Sequence, residues 1–383
     1  MCGIVGFTTF FKTRGEKDNS KQYIEKMCEK IKKRGPDTFG YYIKNDFLLG
    51  HRRLSIIDIE TGAQPMTSDD GNYTIVYNGE IYNSNDLKTD LLKKGYKFKT
   101  TSDTEVLLYT YIEYKEETPK LLNGIFAFAI VDIKKNNLFL CRDHFGVKPL
   151  YYTIVGKNIV FASEIKGIFA HPEVKAVIND NSLREIFGMF PSRTEKNGIF
   201  ENIYEIGYGE YANFSLNGLS TYKYYELEAR ENLLSYDECK NITKDIVTDS
   251  VLRQMVSDVP IGTFLSGGVD SSIITAIASN ELKKRNRKLS TISFDYKDNS
   301  LFFKSNAFQV DEDKEWVKKM VQIFDTDHKY LFLDTKDLID GLYDGVLAKD
   351  YPGMADIDSS LLRFCKDVKK SHSVVLSGEC AEF

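Results

Sequence analysis

Short apolar runs of strand character dominate the first half of the chain. Gly3 to Phe11 reads as a buried first strand, and NYTIVYNGEIYN (72–83), GIFAFAIVDIKKNNLFLCRD (124–143) and NIVFASE (158–164) repeat the pattern. Two helical patterns lie among them. KQYIEKMCEKIKKR (21–34) carries Ile24, Met27, Cys28 and Ile31 at helical spacing. SDTEVLLYTYIEY (102–114) opens on a Ser-x-x-Glu capping signal at Ser102. Strand clusters alternating with a few helices predict a layered α+β domain over 2–220.

The rhythm changes after the turn-rich stretches PSRTEKNG (191–198) and SLNGLSTYKYY (215–225). A helix is expected over SYDECKNITKDIVTDSVLRQM (235–255). Strand and helix then alternate: VPIGTFLS, SSIITAIASNELKK, LSTISFDY, EDKEWVKKMVQIF, HKYLFLD, SSLLRFCKDVKK and SVVLS. Such alternation predicts parallel βαβ units, so a second domain over 225–383 is expected to be a doubly wound α/β sheet.

The 383 residues allow two or three domains, each with its own core. With 51 Lys and Arg against 56 Asp and Glu, the net charge of −5 argues against a generic nucleic-acid or membrane surface. No apolar run approaches the length of a bilayer span. A signal peptide is not expected either, because Lys12 and Arg14 follow the first apolar run instead of preceding it. The six cysteines (2, 28, 141, 239, 365, 380) form no CxxC pair and read as reduced cytoplasmic thiols. The five histidines (51, 144, 171, 328, 372) never fall at metal-ligand spacing.

FLSGGVDSS sits at a strand-to-helix turn. Gly267 and Gly268 let the backbone approach a ligand, the following helix N-terminus favours an anion, and Ser266, Ser271 and Ser272 add hydroxyls. Asp270 would repel phosphate unless a cation bridges the two, and Mg²⁺ takes that set of oxygens. No Lys follows the glycines, so this is not a Walker loop.

Cys2 offers chemistry of a different kind. A small residue at position 2 lets Met1 be trimmed, and Cys2 then carries a thiol and the free α-amine, which takes the thiol's proton in N-terminal nucleophiles. A thiolate attacking a carboxamide needs an oxyanion hole, a carboxylate clamp and a partner for an ammonium. Arg53 in RRLSIID is a fork for a carboxylate. Asn78 and Gly79 in YNGEIYN are oxyanion donors, with Glu80 beside them, and Asp103 in TSDTE is a counter-charge for an ammonium. KRGPDTFG (33–40) reads as a structural turn, and His51 and His144 as structural histidines.

Together and in this order, Cys2, Arg53, Asn78-Gly79-Glu80 and Asp103 resemble the glutamine-hydrolysing domain of class II (N-terminal-nucleophile) amidotransferases, and the segments around Arg142 and Glu164 resemble it too. SGGVDSS resembles the pyrophosphate loop of the ATP pyrophosphatases. The combination is similar to the glutamine-hydrolysing asparagine synthetase family over essentially the whole chain. That resemblance implies a four-layer αββα sandwich followed by an α/β domain. It implies cytoplasmic ligase chemistry on glutamine, aspartate and ATP with Mg²⁺, and allows a homodimer. Cys2 would release ammonia through a γ-glutamyl thioester, with Asn78 and Gly79 stabilising the oxyanion and Arg53, Asn78, Glu80 and Asp103 holding glutamine. Ammonia would travel through an internal channel to β-aspartyl-AMP, giving asparagine, AMP and pyrophosphate. Ser266, Gly267, Gly268, Asp270, Ser271 and Ser272 would hold the pyrophosphate, with Asp270 on Mg²⁺. Phe264 and Phe294 would contact adenosine, Ser377 and Gly378 would form a second nucleotide turn, and Glu379 would serve the synthetase step.

The tail departs from the family pattern S-G-E-x-x-D-E. Cys380 and Ala381 are followed by Glu382, where a second Mg²⁺ ligand is expected, and by Phe383. The chain is therefore expected to be truncated. SVVLS should still pair into the second sheet and bring Ser377 and Gly378 to SGGVDSS, while the end frays and leaves apolar surface uncovered. Alternatives are a truncated chain that retains only glutaminase activity, a related enzyme such as a β-lactam synthetase, or a sugar or phosphoribosyl amidotransferase, which would lack SGGVDSS.

Overall fold

Strands that are apolar at nearly every position need cover on both faces, and the first half of the chain meets that need with stacked sheets. A computed structural model describes residues 1–304 and 313–379. The expectations placed on Cys380, Glu382 and Phe383 lie outside the described residues. The chain separates into two compact units, Met1–Ala229 and Arg230–Phe383.

In the first unit the strands are, in chain order, β1 (Gly3–Thr8), β2 (Thr38–Lys44), β3 (Phe47–Arg53), β4 (Met66–Thr67), β5 (Tyr73–Ile81), β6 (Gly124–Asp132), β7 (Asn137–Arg142), β8 (Tyr151–Val155), β9 (Asn158–Ala162), β10 (Tyr204–Glu205), β11 (Glu210–Ser215) and β12 (Gly218–Lys223). They form two six-stranded antiparallel sheets, ordered β10-β8-β9-β1-β3-β2 and β12-β11-β7-β6-β5-β4. Ile4, Phe47, Leu49 and Phe161 of the first sheet share one core with Val76, Ala129, Leu140 and Phe214 of the second. The Ser20–Lys30 helix covers the outer face of the first sheet with Ile24, Met27 and Cys28. Gly50 makes room for it, since a Cβ there would lie 2.4 Å from Cys28 Sγ. Leu107, Leu108 and Tyr111 of the Asp103–Tyr114 helix cover the second sheet over Tyr77, Phe126 and Phe139. Helix, sheet, sheet and helix give the expected four layers.

Two local expectations change. The first strand stops at Thr8, because Thr9 N–H turns to Asp46 O (2.9 Å) and Lys12 N–H closes a turn onto Thr9 O (3.1 Å). Ser102 caps its helix by accepting from Thr104 N–H, but Glu105 does not complete a capping box. Its carboxylate instead accepts from the N–H groups of Lys99 (3.0 Å) and Thr100 (2.8 Å), tying down the preceding loop.

The second unit holds β13 (Ile261–Phe264), β14 (Ser290–Tyr296), β15 (Asp327–Leu333) and β16 (Val374–Leu376), all parallel, in the order β15-β14-β13-β16. Strand SVVLS thus pairs as expected, with Ile261 opposite Val374. The connection direction reverses between β13 and β16, the kind of switch point where open α/β sheets bind ligands. Helices run over Tyr236–Arg253, Val269–Lys284, Asp313–Phe324 and Ala355–Val368. A further helix, Thr335–Lys349, was not expected; it opens with a capping box between Asp334 and Asp337. The last of these helices starts at Ala355, four positions before the expected Ser359.

Candidate functional site

Register puts the first site together. β1 pairs with β3 so that Gly3 lies opposite Arg52, which brings Cys2 alongside Arg53 and Leu54 across a separation of some fifty residues. Cys2 Sγ lies 3.4 Å from Leu54 N and 3.5 Å from Leu54 O. Burial pushes the thiol's pKa up, while the Leu54 backbone contact, the chain's amino terminus and Arg53 act the other way. One pocket is lined by Cys2, Arg53, Asn78, Gly79, Glu80 and Asp103, together with Met1, Gln64, Tyr77 and Lys148. All the residues expected to serve glutamine therefore meet in one place.

β5 and the start of the Asp103–Tyr114 helix supply most of the polar groups. Tyr77 N–H donates to Gln64 Oε1 (2.7 Å), and Ile81 N–H donates to Asp103 Oδ2 (3.1 Å). Strand N–H groups alternate in direction, so the Gly79 N–H points to the same edge, between those two. A Cβ at Gly79 would lie 2.2 Å from Ile125 O, so no side chain fits there. Asn78 is 1% exposed and its buried Nδ2 has no hydrogen-bond partner. Leaving a buried donor unpaired costs about 1–3 kcal/mol, and an acceptor entering the pocket would recover it. Asp103 also accepts from Tyr77 Oη (2.9 Å); burial raises its pKa against those bonds. Burial also raises the pKa of Glu80, opposed by Lys148.

Arg53 lies in the pocket but is not a free fork. Its guanidinium donates to the carbonyls of Ile59 (3.0 Å), Ile57 (3.2 Å) and Asp58, bracing the 57–59 loop. Gly62 leaves room for this, since a Cβ there would lie 2.6 Å from Arg53 Nη2. The turn at 33–40 is structural as expected, with Asp37 Oδ2 accepting from Ser55 N–H (2.8 Å). It also reaches the site, because Arg34 Nε donates to Cys2 O (2.8 Å) and Arg34 pairs with Glu164 (3.3 Å). Sequence reasoning missed Arg34, Gln64 and Lys148 as neighbours of Cys2. Lys148 stands in GVKPL, inside the segment around Arg142 that the sequence reads as core strand and as the domain's contact with its partner site, with no part for Lys148 beside Cys2. His51 is fully buried with Nε2 3.1 Å from Tyr77 O, a structural placement behind the pocket.

In the second unit, Ser266–Ser272 spans the turn after β13 and the first turn of the Val269–Lys284 helix. Gly267 adopts φ +92°, and Gly268 caps the helix. Ser271 Oγ turns inward, 3.0 Å from Ser266 Oγ and donating to Gly268 O (3.1 Å), so it braces the loop. Ser266 is exposed, and Asp270 and Ser272 are half-buried. Gly378, just past β16, packs on this loop: a Cβ there would lie 2.9 Å from Asp270 Cβ and from Ser271 N. Phe264, Phe294, Asp270, Gly378 and Glu379 line one cavity, and Ser377 joins them. Phe294 is stacked on Phe364 (4.1 Å), which the sequence reading did not single out. Small residues, a helix N-terminus and one carboxylate fit a phosphate chain with Mg²⁺, which needs one or two protein carboxylates beside phosphate oxygens. Cys2, Cys28, Cys141, Cys239 and Cys365 are free thiols. Among the described residues no helix is long and apolar enough to cross a membrane.

Comparison with known proteins follows the same division. A glutamine amidotransferase domain model matches residues 1–225, and an asparagine synthase model matches residues 243–382. Asparagine synthetase (glutamine-hydrolyzing) 3 of Bacillus subtilis is 47% identical over the whole of this chain and 62% of its own length. Asparagine synthetase (glutamine-hydrolyzing) 1 of the same organism is 39% identical, over 73% of this chain and 44% of its own. A Methanocaldococcus jannaschii protein named for the same family is 34% identical over 99% of this chain and 74% of its own. The chain thus spans less than two thirds of the first two relatives. The asparagine synthase match disfavours a sugar or phosphoribosyl amidotransferase. On these matches, the chain belongs to the glutamine-hydrolysing asparagine synthetase family.

Proposed function

We propose that the chain takes part in glutamine-dependent asparagine synthesis. In the first unit, the Cys2 thiol, freed of Met1, gives its proton to its own α-amine and attacks the glutamine carboxamide. Asn78 Nδ2 and the Gly79 N–H stabilise the oxyanion. Asp103 and Glu80 take the substrate ammonium. Arg53 serves the substrate carboxylate chiefly by bracing the 57–59 loop. Collapse of the tetrahedral adduct releases ammonia, and water hydrolyses the thioester to glutamate.

In the second unit, aspartate attacks the α-phosphorus of ATP, pyrophosphate leaves, and ammonia displaces AMP to give asparagine. Ser266, the loop N–H groups, Ser272 and Ser377 bind phosphate oxygens, with Gly267, Gly268 and Gly378 allowing close approach. Phe264 and Phe294 flank the adenosine, Ser271 keeps the loop in shape, and Glu379 faces the reacting end. Asp270 would hold Mg²⁺, which would neutralise charge on the phosphates. The setting is the cytoplasm, where ATP and reduced thiols coexist.

The observation that carries this reading is the unpartnered buried Asn78 Nδ2 in a pocket shared with Cys2. The test supplies glutamine labelled with ¹⁵N at the amide, with aspartate and MgATP. Label should appear in asparagine, with AMP and glutamate formed in equal amounts. Glutamate formation that persists in Cys2→Ala, or AMP formation that does not need aspartate, overturns it.

A further inference from the structure

Lys148 is a charged group in the Cys2 pocket to which the proposed reaction assigns no task. It is 7% exposed and shares that pocket with Cys2, Asn78 and Glu80. Among the described residues, its ammonium hydrogen-bonds only Met1 Sδ, at 3.0 Å. A thioether is a weak acceptor, and a buried ammonium without a carboxylate in contact is costly.

The loop behind it is built to hold it there. Asp143 Oδ1 accepts from the N–H groups of Phe145 (3.1 Å) and Val147 (2.9 Å), and Oδ2 accepts from those of Lys148 (2.9 Å) and Phe126 (3.2 Å). Arg142 donates to the carbonyls of Lys148 (2.8 Å), Ile206 (2.8 Å) and Gly146 (2.7 Å), and pairs with Glu205 (3.1 Å). Gly146 adopts φ +68°, which favours glycine. Two buried charged residues thus fix one short loop whose polar product in the pocket is the Lys148 ammonium.

Trimming Met1 removes that ammonium's acceptor and frees the Cys2 α-amine in the pocket that Lys148 lines. We propose that Lys148 is a positioning residue of the glutaminase site, whose buried ammonium keeps the freed Cys2 α-amine neutral and ready to accept the thiol proton. This role rests on the glutaminase reading above. A neighbouring like charge disfavours a second ammonium. Arg34 and Arg53 act in the same direction, while the Glu80 and Asp103 carboxylates act in the opposite one. Burial lowers the Lys148 pKa from 10.5, and Glu80 acts against this. An α-amine starts lower still, near 7.7–8.0. The proton cycle is closed: the amine takes the thiol hydrogen as the S–C bond forms, then gives it to the leaving nitrogen as the C–N bond breaks, and ammonia departs.

The test compares wild type, Lys148→Met and Lys148→Arg as full chains, with loss of Met1 verified by mass spectrometry. Two readouts are followed against pH: kcat/KM for glutamine hydrolysis, and the ¹³C resonance of the Cys2 α-carbon in protein labelled with ¹³C-cysteine. Lys148→Met should move both acid limbs up by about one pH unit. That is roughly a tenfold loss of activity on the acid side, shrinking as pH rises. Lys148→Arg should bring both limbs back. An unmoved α-carbon titration in Lys148→Met, or a loss that is equal at every pH, overturns the proposal. A displaced titration in a wild type that hydrolyses no glutamine supports the coupling and overturns the glutaminase reading instead.

Discussion

The pocket around Cys2 and the loop after β13 solve opposite problems. The first is enclosed: Asn78, Asp103, Arg53 and Lys148 are each less than a tenth exposed. The second is open: Ser266 and Gly268 are exposed, and Asp270 and Ser272 are half-buried. A neutral carboxamide that must be polarised gains from fixed, water-excluded donors. A polyphosphate carries its own charge, and a ring of backbone N–H groups and hydroxyls can share it. Single substitutions should therefore be severe in the first site and graded in the second.

The largest effect should come from Cys2→Ala, which removes both nucleophile and thioester. Glutamine hydrolysis should fall to background while aspartate-dependent ATP–pyrophosphate exchange in the same preparation is retained. Hydrolysis at the wild-type rate would remove the basis of the comparison.

Arg53→Ala should be next. It frees the carbonyls of Ile57, Asp58 and Ile59 and removes a buried charge, a change worth about 2–5 kcal/mol, or roughly 30-fold or more in glutamine affinity. Because the guanidinium braces the loop, kcat should drop along with the rise in KM. A pure KM effect would show that the loop keeps its shape without it.

A third expectation concerns pH. Burial lowers the His51 pKa from 6.5 to about 3 in the folded unit. Below 6.5 the unfolded chain therefore binds the extra proton, and His51's contribution to stability, intact above that pH, is lost as pH falls toward the folded value. At about pH 5 the loss is about 2 kcal/mol. His51→Leu should flatten the fall in urea midpoint between neutral pH and about pH 5. His171, whose pKa burial lowers to about 4, should leave part of the slope in place. An equal slope in wild type and His51→Leu would mean that His51 is already neutral in the unfolded ensemble.

The smallest effect should be that of Ser266→Ala. One exposed hydroxyl among several phosphate donors is worth about 0.5–1.5 kcal/mol, a change of a few-fold in the KM for ATP. A loss as large as that of Arg53→Ala would show that the open site is as interdependent as the closed one.

Much of the molecule follows from the chain read alone. Ile24, Met27, Cys28 and Ile31 recur at helical spacing, and apolar runs buried on both faces require stacked layers; both are properties of neighbouring residues. The small residue behind Met1 and the glycines of SGGVDSS likewise point to their chemistry within a few positions. What only the tertiary structure decided involves partners far apart in sequence. Glu105 matches a capping box, yet two closer N–H groups take its carboxylate. Arg53 matches a carboxylate fork, yet the loop carbonyls occupy it. Lys148 carries no local mark at all. It meets Cys2 because Asp143 and Arg142 fold the 143–148 loop back, and because the strands on either side bring residues 2, 53, 79 and 148 into one pocket. Local pattern fixes which face a side chain takes, whereas register and loop geometry, set by hydrogen bonds between distant segments, fix which groups meet there.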